Sequence, residues 1–331
     1  MTSPETRLVR VTANKVRHLS VDDLGLKPPI PVSTGPIGEI EALTVDDPIL
    51  LTARDLLVTF GGIIFVGPPG TSKSWYAARL VATLAEGDRS RVRFVQFHPS
   101  YQYEDFVEGF VPEPSGGFKL VQKHFLELCD IADDRGDKLT VLVIDELSRG
   151  DPGRVFGEAL TYLEKSKRGL LFSLASGTQL QVPPNLIVLA TMNALDRGVD
   201  EVDAALNRRF AKIAMDPDAG ILARFLSEAG MADGLRDRVL TFFRGVNDRG
   251  RANPYAALGH TYFIGVSDED GLRRIWEHQL RFHFDKAFRL DAEGRADVDR
   301  MWDMVLAISE DGLEAGPAVR ETETTDTETS P

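Results

Sequence analysis

The 331-residue sequence contains a single cysteine, Cys129, and no apolar run near the ~20 residues that cross a bilayer. One cysteine excludes an internal disulfide and is typical of a reducing compartment. Leu126 and Leu128 beside it indicate a buried helical thiol. The charged first ten residues have no apolar stretch behind them, which argues against a signal peptide. We therefore expect a cytoplasmic protein that does not enter a membrane.

Basic residues are too few for broad nucleic-acid binding. The chain has 38 Lys and Arg against 51 Asp and Glu, a formal net charge of −13. Because phosphate neutralisation needs clustered cations, the isolated monomer is not expected to coat DNA or RNA. A small basic lining inside a ring stays compatible with this charge.

Apolar strand patterns alternate with helical patterns in the first two thirds of the chain. The predicted strands cover 63–66, 93–98, 139–144, 186–190 and 211–215, and the predicted helices cover 48–60, 74–86, the end of 118–133, and 151–165. This alternation predicts an α/β fold with a parallel sheet and helices on both faces. A turn at Ser176-Gly177 predicts a β-hairpin between 170 and 182.

Strand patterns stop after Pro217, and periodic apolar positions continue in 221–229, 235–243 and 272–288. We predict four segments: an extended Pro-rich segment 1–45, a large α/β domain 46–216, a small all-helical domain 217–312 and a disordered acidic tail 313–331.

A Gly-rich turn between the strand 63–66 and the helix 74–86 carries the strongest functional signal. Its residues are Gly67-Pro68-Pro69-Gly70-Thr71-Ser72-Lys73-Ser74. Backbone N–H groups of such a loop hold nucleotide phosphates, the lysine reaches their oxygens and the last serine ligates Mg²⁺. Ser72 stands where glycine is usual, and serine is small enough for the bend. The alternative is an incidental Gly/Pro turn.

Two acidic residues close the apolar strand 139–144. Asp145 and Glu146 follow Val141-Leu142-Val143-Ile144, at the carboxyl end of a strand where open α/β sheets place ligand sites. Asp145 is expected to hold Mg²⁺ through water, and Glu146 to polarise the attacking water as a general base. The alternative is an acidic pair that only faces solvent.

Two further polar positions fit the same chemistry. Thr191-Met192-Asn193 directly follows the strand 186–190, and the Asn193 amide is predicted to sense the γ-phosphate and the attacking water. Arg208 and Arg209 end a predicted helix, and either guanidinium is a candidate for stabilising phosphoryl transfer in a neighbouring subunit. The alternative for the arginines is simple stabilisation of a helix C-terminus.

The order of these motifs resembles the AAA+ superfamily of P-loop NTPases, and within it the McrB-like branch, which is related to the MoxR and dynein-related group. Three segments carry the narrower resemblance: Phe97-His98-Pro99-Ser100-Tyr101-Gln102-Tyr103-Glu104-Asp105-Phe106-Val107-Glu108-Gly109, Asp145-Glu146-Leu147-Ser148-Arg149-Gly150-Asp151 and Met192-Asn193-Ala194-Leu195-Asp196-Arg197. Gly259-His260-Thr261-Tyr262-Phe263 is a further similarity. The resemblance covers about residues 50–288.

This resemblance implies an AAA+ module followed by a helical lid, with Mg²⁺ as cofactor and ATP or GTP as substrate. It implies a homo-oligomer, a hexameric ring that acts as motor subunit of a modification-dependent restriction system. It also implies a McrC-like partner that carries the nuclease. Family members in this branch prefer GTP. By resemblance, Arg149, Asp196 and Arg197 lie at the subunit interface and tune hydrolysis. A salt-bridge network on a loop is the alternative for these three residues.

The sequence departs from the family at Ser72, Leu195 and Asn207, and none of these positions removes an expected catalytic group. Little chain precedes the phosphate loop, so we expect DNA to be recognised through the partner. Restriction nucleases that use metal ions typically carry an acidic residue two positions before a lysine. No such pair occurs in the chain, which argues against its own nuclease activity.

Two other functions fit the same motifs. A remodelling chaperone of the MoxR type would engage a protein client and have no nuclease partner. A nucleotide-switched scaffold would assemble with little turnover. The segments 97–109 and 193–197 favour the McrB-like interpretation over the chaperone, and the joint presence of Glu146, Asn193 and Arg209 argues against a scaffold.

Overall fold

The computed structural model describes residues 8–12, 15–19, 40–193, 195 and 206–307. The predicted acidic tail 313–331 and two candidate site residues, Asp196 and Arg197, lie outside these described residues. Among the described helices, none is long and apolar enough to cross a membrane.

The strands, numbered in chain order, have the following bounds. They are β1 (Leu8–Thr12), β2 (Lys15–Leu19), β3 (Gly62–Val66), β4 (Val92–Gln96), β5 (Glu108–Pro112), β6 (Phe118–Gln122), β7 (Thr140–Asp145), β8 (Phe172–Ser173), β9 (Gln179–Leu180), β10 (Leu186–Met192) and β11 (Phe210–Ala214). Five of them form one sheet in the order β11-β3-β10-β7-β4, and β7 pairs in parallel with both β4 and β10. The parallel α/β sheet predicted from the sequence is therefore confirmed.

The α-helices are numbered in the same way. They are α1 (Pro48–Thr59), α2 (Lys73–Leu84), α3 (Tyr103–Phe106), α4 (His124–Asp134), α5 (Pro152–Phe156), α6 (Ala159–Tyr162), α7 (Ala219–Glu228), α8 (Asp233–Gly250), α9 (Glu269–Ile275), α10 (Arg281–Ala287) and α11 (Ala292–Leu306). A π-helical turn, Trp276–Leu280, joins α9 to α10.

The chain forms two compact units. The first contains the described residues up to Ile64 together with 74–190 and 206–211. The second contains Phe65–Lys73, residues 191–193 and 195, and 212–307. Residues 67–73 of the phosphate loop therefore belong to the same unit as the helices that follow β11, and Ser74 belongs to the first unit. The predicted domain boundary between residues 216 and 217 stays a proposal.

Continuous apolar runs explain the central strands of the first unit. Every residue of β10 is buried, and so is every residue of β7 except Asp145. Such burial on both faces favours a parallel arrangement. An aromatic cluster fills the space beside α3 and α4, with the Phe106 ring centroid 4.9 Å from Phe156 and 5.5 Å from Phe125. Phe106 is thus a core residue of this unit.

The helix predicted over 151–165 is wrong as a continuous element. It is divided into α5, α6 and a 3₁₀ turn at Lys165–Lys167. Gly157 separates the two α-helices with a positive φ of 53°, a conformation that favours glycine. A β-carbon at this position would lie 2.8 Å from the Tyr103 ring, so the close packing also requires glycine.

Two hairpins interrupt the α/β alternation. The β8–β9 hairpin lies inside the predicted range 170–182, and its turn uses Gly177 at φ 90°. The β5–β6 hairpin was not predicted, and it pairs Phe110 with Leu120 and Pro112 with Phe118. Phe110 and Phe118 are largely exposed on it.

The second unit is built on a helical core. Buried side chains from α7, α8, α10 and α11 contact one another, among them Leu226, Val239, Phe284 and Trp302. The Trp276 and Trp302 rings stack with centroids 4.5 Å apart. Trp276 is therefore part of this packing.

Candidate nucleotide-binding site

The phosphate loop joins the end of β3 to the start of α2, as its sequence predicts. A β-carbon on Gly67 would lie 2.1 Å from the Met215 carbonyl oxygen, so only glycine fits there. Gly70 has a φ of 79°, which also favours glycine. The Thr71 hydroxyl donates to the Pro68 carbonyl at 2.9 Å and closes the turn. The loop therefore has a defined backbone, with α2 beginning at Lys73.

Lys73 points back over the loop. Its Nζ donates to the carbonyls of Gly67 at 2.8 Å and Pro68 at 2.6 Å. This holds the ammonium group against a Gly-rich turn that opens a helix. Both the positive charge and the helix N-terminus favour an anion there.

Ser74 and Asp145 are neighbours in the first unit. The Ser74 hydroxyl donates to Asp145 Oδ1 at 3.3 Å, although the two residues are 71 positions apart. A hydroxyl and a carboxylate are the kind of oxygen ligands that Mg²⁺ takes, together with waters and substrate phosphates. This donor pair fits the metal that the sequence predicts at these two residues.

Glu146 has an unusual backbone. Its φ and ψ are 56° and 46°, and it precedes a 3₁₀ turn at Leu147–Arg149. Within the described residues, only Ser72, Glu86 and Glu146 are non-glycine residues with positive φ. Two of these three are predicted site residues. Strained backbone of this kind concentrates at functional sites, because surrounding contacts must hold it there.

Arg149 pairs with the candidate general base. Its Nε lies 3.3 Å from Glu146 Oε2, and the Arg149 side chain is 58% exposed. The ion pair holds the Glu146 carboxylate on the side of the 3₁₀ turn. Arg149 therefore contacts the candidate base and is also exposed to solvent. Its exposure is compatible with the subunit interface that the resemblance implies for this residue.

Ser72 contacts a residue that motif analysis did not assign to the site. Its Oγ lies 2.8 Å from His260 Nε2. The backbone N–H of Asp218 donates to His260 Nδ1 at 3.3 Å, so Nδ1 accepts and the proton of the neutral ring is on Nε2. His260 is 1% exposed, and this burial lowers the pKa of its imidazole.

Asn193 lies next to the phosphate loop in the second unit. Asn193 and Pro69 line the same cavity of about 110 Å³, to which α10 contributes His283 and Lys286. The Asn193 Oδ1 accepts from the Leu195 backbone N–H at 3.1 Å, which fixes the amide orientation. An amide held in this way can present its N–H₂ group to an anion on the loop.

A larger cavity of about 730 Å³ opens beside the first two residues of the loop. Gly67 and Pro68 line it together with Asp216, and α8 contributes Asn247 and Asp248. Its volume is typical of a small-molecule site. The sequence offered no signal for these helical residues, because side chains that line a cavity follow no fixed spacing.

The structure separates the two candidate arginines. Arg209 Nε donates to the Leu160 carbonyl at 2.6 Å, and burial lowers the pKa of this guanidinium. Arg208 is exposed. Arg209 thus stabilises its own unit, whereas the Arg208 side chain projects toward solvent.

Cys129 and two tyrosines of the segment 97–109 have structural roles. Cys129 is 2% exposed on α4, and burial raises the pKa of its thiol, as expected of an unreactive core residue. The Tyr101 ring stacks on Phe97 at 5.3 Å, and the Tyr103 hydroxyl donates to Glu108 at 3.3 Å. Both tyrosines therefore pack within the first unit.

The loop, the acidic pair and the parallel sheet define a P-loop module, and comparison with known families assigns its class. Residues 62–210 match the family model of the AAA domain, dynein-related subfamily. The chain therefore contains an AAA domain of this subfamily, as the order of its motifs indicated.

Within this class, the chain is related to restriction components. It is 39% identical over 235 residues to the Type IV methyl-directed restriction enzyme EcoKMcrB subunit of Escherichia coli (strain K12), over 66% of this chain and 50% of that protein. It is 26% identical over 188 residues to the Type II restriction enzyme BsuMI component YdiS of Bacillus subtilis (strain 168), over 45% of this chain and 55% of that protein. The chain spans about half the length of these curated relatives. The McrB-like resemblance is confirmed at this level.

Proposed function

We propose that the chain is a Mg²⁺-dependent NTPase that acts as the ring-forming motor subunit of a restriction complex with a separate nuclease-bearing partner. The hydrogen bond between Ser74 and Asp145 is the observation that carries the NTPase activity, because it brings a metal-ligating hydroxyl and carboxylate together at the start of α2. The similarity to two restriction components supports the biological setting. DNA is then recognised through the partner.

Each residue of the site has a separate role in hydrolysis. The loop 67–74 binds the phosphates of ATP or GTP through its backbone N–H groups, and Lys73 neutralises their charge. Ser74 and Asp145 hold Mg²⁺, which screens the phosphate charge when bound. Glu146 accepts a proton from the attacking water, and Asn193 orients that water and the γ-phosphate. Arg149 restrains the Glu146 carboxylate through their ion pair until a neighbouring subunit engages it.

A neighbouring subunit of the ring supplies an arginine to the site. We assign Arg208 as the arginine that reaches the nucleotide of the neighbouring subunit, since its side chain is exposed while Arg209 donates to Leu160. An arginine that acts in this way is worth about 10³-fold or more in turnover. Asp196 and Arg197 are proposed to lie at the same interface.

Replacing Arg208 with Ala is expected to reduce turnover about 10³-fold with nucleotide affinity retained. Replacing Arg209 with Ala is expected instead to lower the free energy of unfolding by about 1–3 kcal/mol, because the Leu160 carbonyl loses its charged donor. Steady-state hydrolysis and thermal unfolding of both variants measure these effects.

Mixing variants tests whether Arg208 acts between subunits. A subunit with Arg208→Ala keeps its own base, and a subunit with Glu146→Gln keeps its own arginine. A mixed ring therefore contains some complete sites, and the mixture should hydrolyse faster than either variant alone. No gain on mixing, or loss of turnover confined to a stable Arg209→Ala variant, would contradict the assignment.

A second candidate, the MoxR-like remodelling chaperone, is favoured by the β5–β6 hairpin. Phe110 is 69% exposed and Phe118 is 74% exposed on this hairpin. Exposed apolar side chains close together mark protein interaction sites. A hairpin of this kind suits contact with a protein client as well as contact with a fixed partner subunit.

A pull-down from source cells separates the two functions. The full chain with Glu146→Gln is loaded with ATP or GTP so that the assembled state is trapped, and Lys73→Ala serves as the matched control that binds no nucleotide. A nuclease-bearing protein retained by Glu146→Gln with one nucleotide, and absent with Lys73→Ala, is the expected result. A client without a nuclease would favour the chaperone, and no retained protein under either nucleotide would contradict the restriction complex.

A further inference from the structure

Ser72 is the position where the phosphate loop departs from the usual pattern. Its φ is 64°, in the left-handed region that glycine adopts easily and that disfavours residues with a β-carbon. Serine at this φ needs a compensating contact. In this chain the serine hydroxyl, which glycine lacks, makes a side-chain contact at 2.8 Å with His260 Nε2.

His260 is held from its other side as well. Nδ1 accepts the Asp218 backbone N–H, so the ring presents Nε2–H as a donor to Ser72 Oγ. The Asp218 carboxylate caps α7, accepting from the N–H groups of Gly220 at 2.6 Å and Ile221 at 2.9 Å. The edge of the Phe225 ring from α7 also faces the imidazole, with centroids 6.0 Å apart. A continuous set of contacts therefore runs from the loop to the first turn of α7.

The residues beside His260 contact the same loop through their backbone. The Thr261 N–H donates to the Gly70 carbonyl at 3.0 Å. A β-carbon on Gly259 would lie 2.2 Å from that carbonyl oxygen and 2.4 Å from the Pro69 carbonyl oxygen. The segment 259–261 thus packs against the loop so closely that only glycine fits at residue 259. The hydrogen bond between the Ser72 and His260 side chains is part of the same contact between the segment 259–261 and the loop.

We propose that Ser72 and His260 form a positioning pair that holds the phosphate loop in its nucleotide-binding conformation and links it to α7. The pair deepens the proposed NTPase function and rests on nucleotide binding at this loop. Neither side chain is assigned a chemical step. Because the bond acts on the loop before chemistry, its loss should raise Kd and KM for nucleotide and leave kcat nearly constant.

The variants separate the hydroxyl from the β-carbon. Ser72→Ala keeps the β-carbon at positive φ without a hydrogen bond, and Ser72→Gly removes both. We expect Ser72→Ala to weaken binding of fluorescent N-methylanthraniloyl ATP and GTP about three- to tenfold, the effect of one hydrogen bond. Ser72→Gly should lie between Ser72→Ala and the natural protein, since glycine adopts φ 64° without strain.

His260 completes a double-mutant cycle. His260→Ala should weaken binding by a similar factor in the natural protein and by little in the Ser72→Gly background, because the bond is already absent there. His260→Gln keeps an N–H donor near the Nε2 position, so it should bind more tightly than His260→Ala. His278→Ala is the matched control, since His278 is exposed in the same unit.

The outcomes distinguish this pair from the proposed function. Full affinity in Ser72→Ala, or equal losses for His260→Ala in both backgrounds, would overturn the positioning pair while NTPase function stands. Nucleotide that fails to bind the natural protein, with no difference from Lys73→Ala, would overturn the function and the pair together. If His260→Ala does not fold, the nucleotide affinities of the natural protein, Ser72→Gly and Ser72→Ala test the proposal by themselves, and they should decrease in that order.

Discussion

Replacing Glu146 with Gln should reduce nucleotide hydrolysis at least about a hundredfold while nucleotide binding persists. The amide keeps the shape of the side chain but cannot accept the proton of the attacking water, and a positioned general base contributes about 10²–10⁴-fold. Single-turnover hydrolysis of ATP and GTP measures the chemical step, and binding of the fluorescent nucleotides measures affinity separately.

A control distinguishes loss of the base from loss of its ion pair. Glu127 pairs with Arg93 at 3.1 Å in the first unit, and it has no place in the proposed mechanism. Glu127→Gln removes a comparable surface ion pair, which contributes about 0–1 kcal/mol to stability, and should leave turnover unchanged. If Glu146→Gln keeps its turnover, Glu146 is not the base.

Replacing Lys73 with Ala should abolish the stabilisation that nucleotide gives to the fold. A ligand at 100 times its Kd stabilises a native protein by about 2.7 kcal/mol, which raises Tm by several degrees. Without the ammonium group the loop loses the cation bound to its carbonyls, and the shift in Tm with Mg²⁺ and ATP or GTP should disappear. Thermal unfolding with and without nucleotide measures this difference.

Lys138→Ala is a suitable control for this experiment. Lys138 is exposed on the loop before β7, so its removal changes the net charge equally and leaves the site intact. The control should show the full nucleotide-dependent rise in Tm. A rise of equal size in Lys73→Ala would rule out Lys73 as the phosphate-binding lysine.

Local patterns allowed the sequence to predict the sheet and the phosphate loop. The run Val141-Leu142-Val143-Ile144 lies inside β7, since a strand buried on both faces needs apolar residues at consecutive positions. The Gly-rich turn lies where predicted because its backbone conformation depends on a few consecutive residues.

Features that depend on distant residues were not predicted. Ser72 and His260 are 188 positions apart, and no spacing rule connects them. The β5–β6 hairpin was missed because its apolar side chains, Phe110 and Phe118, are exposed and give no alternation of buried and solvated positions. The helix over 151–165 was predicted too long, because the packing of Gly157 against Tyr103 depends on a residue 54 positions away.

The left-handed backbone of Glu146 means that the residue best for stability and the residue needed for catalysis differ at this position. Glycine and asparagine adopt this conformation at a lower free energy than glutamate, by about 1 kcal/mol for glycine. Under the proposed mechanism, the substitutions that most improve thermostability at residue 146 therefore remove the general base. Selection of this chain for thermostability alone would therefore favour replacement of the Glu146 carboxylate. Directed evolution for stability must also screen the variants for turnover.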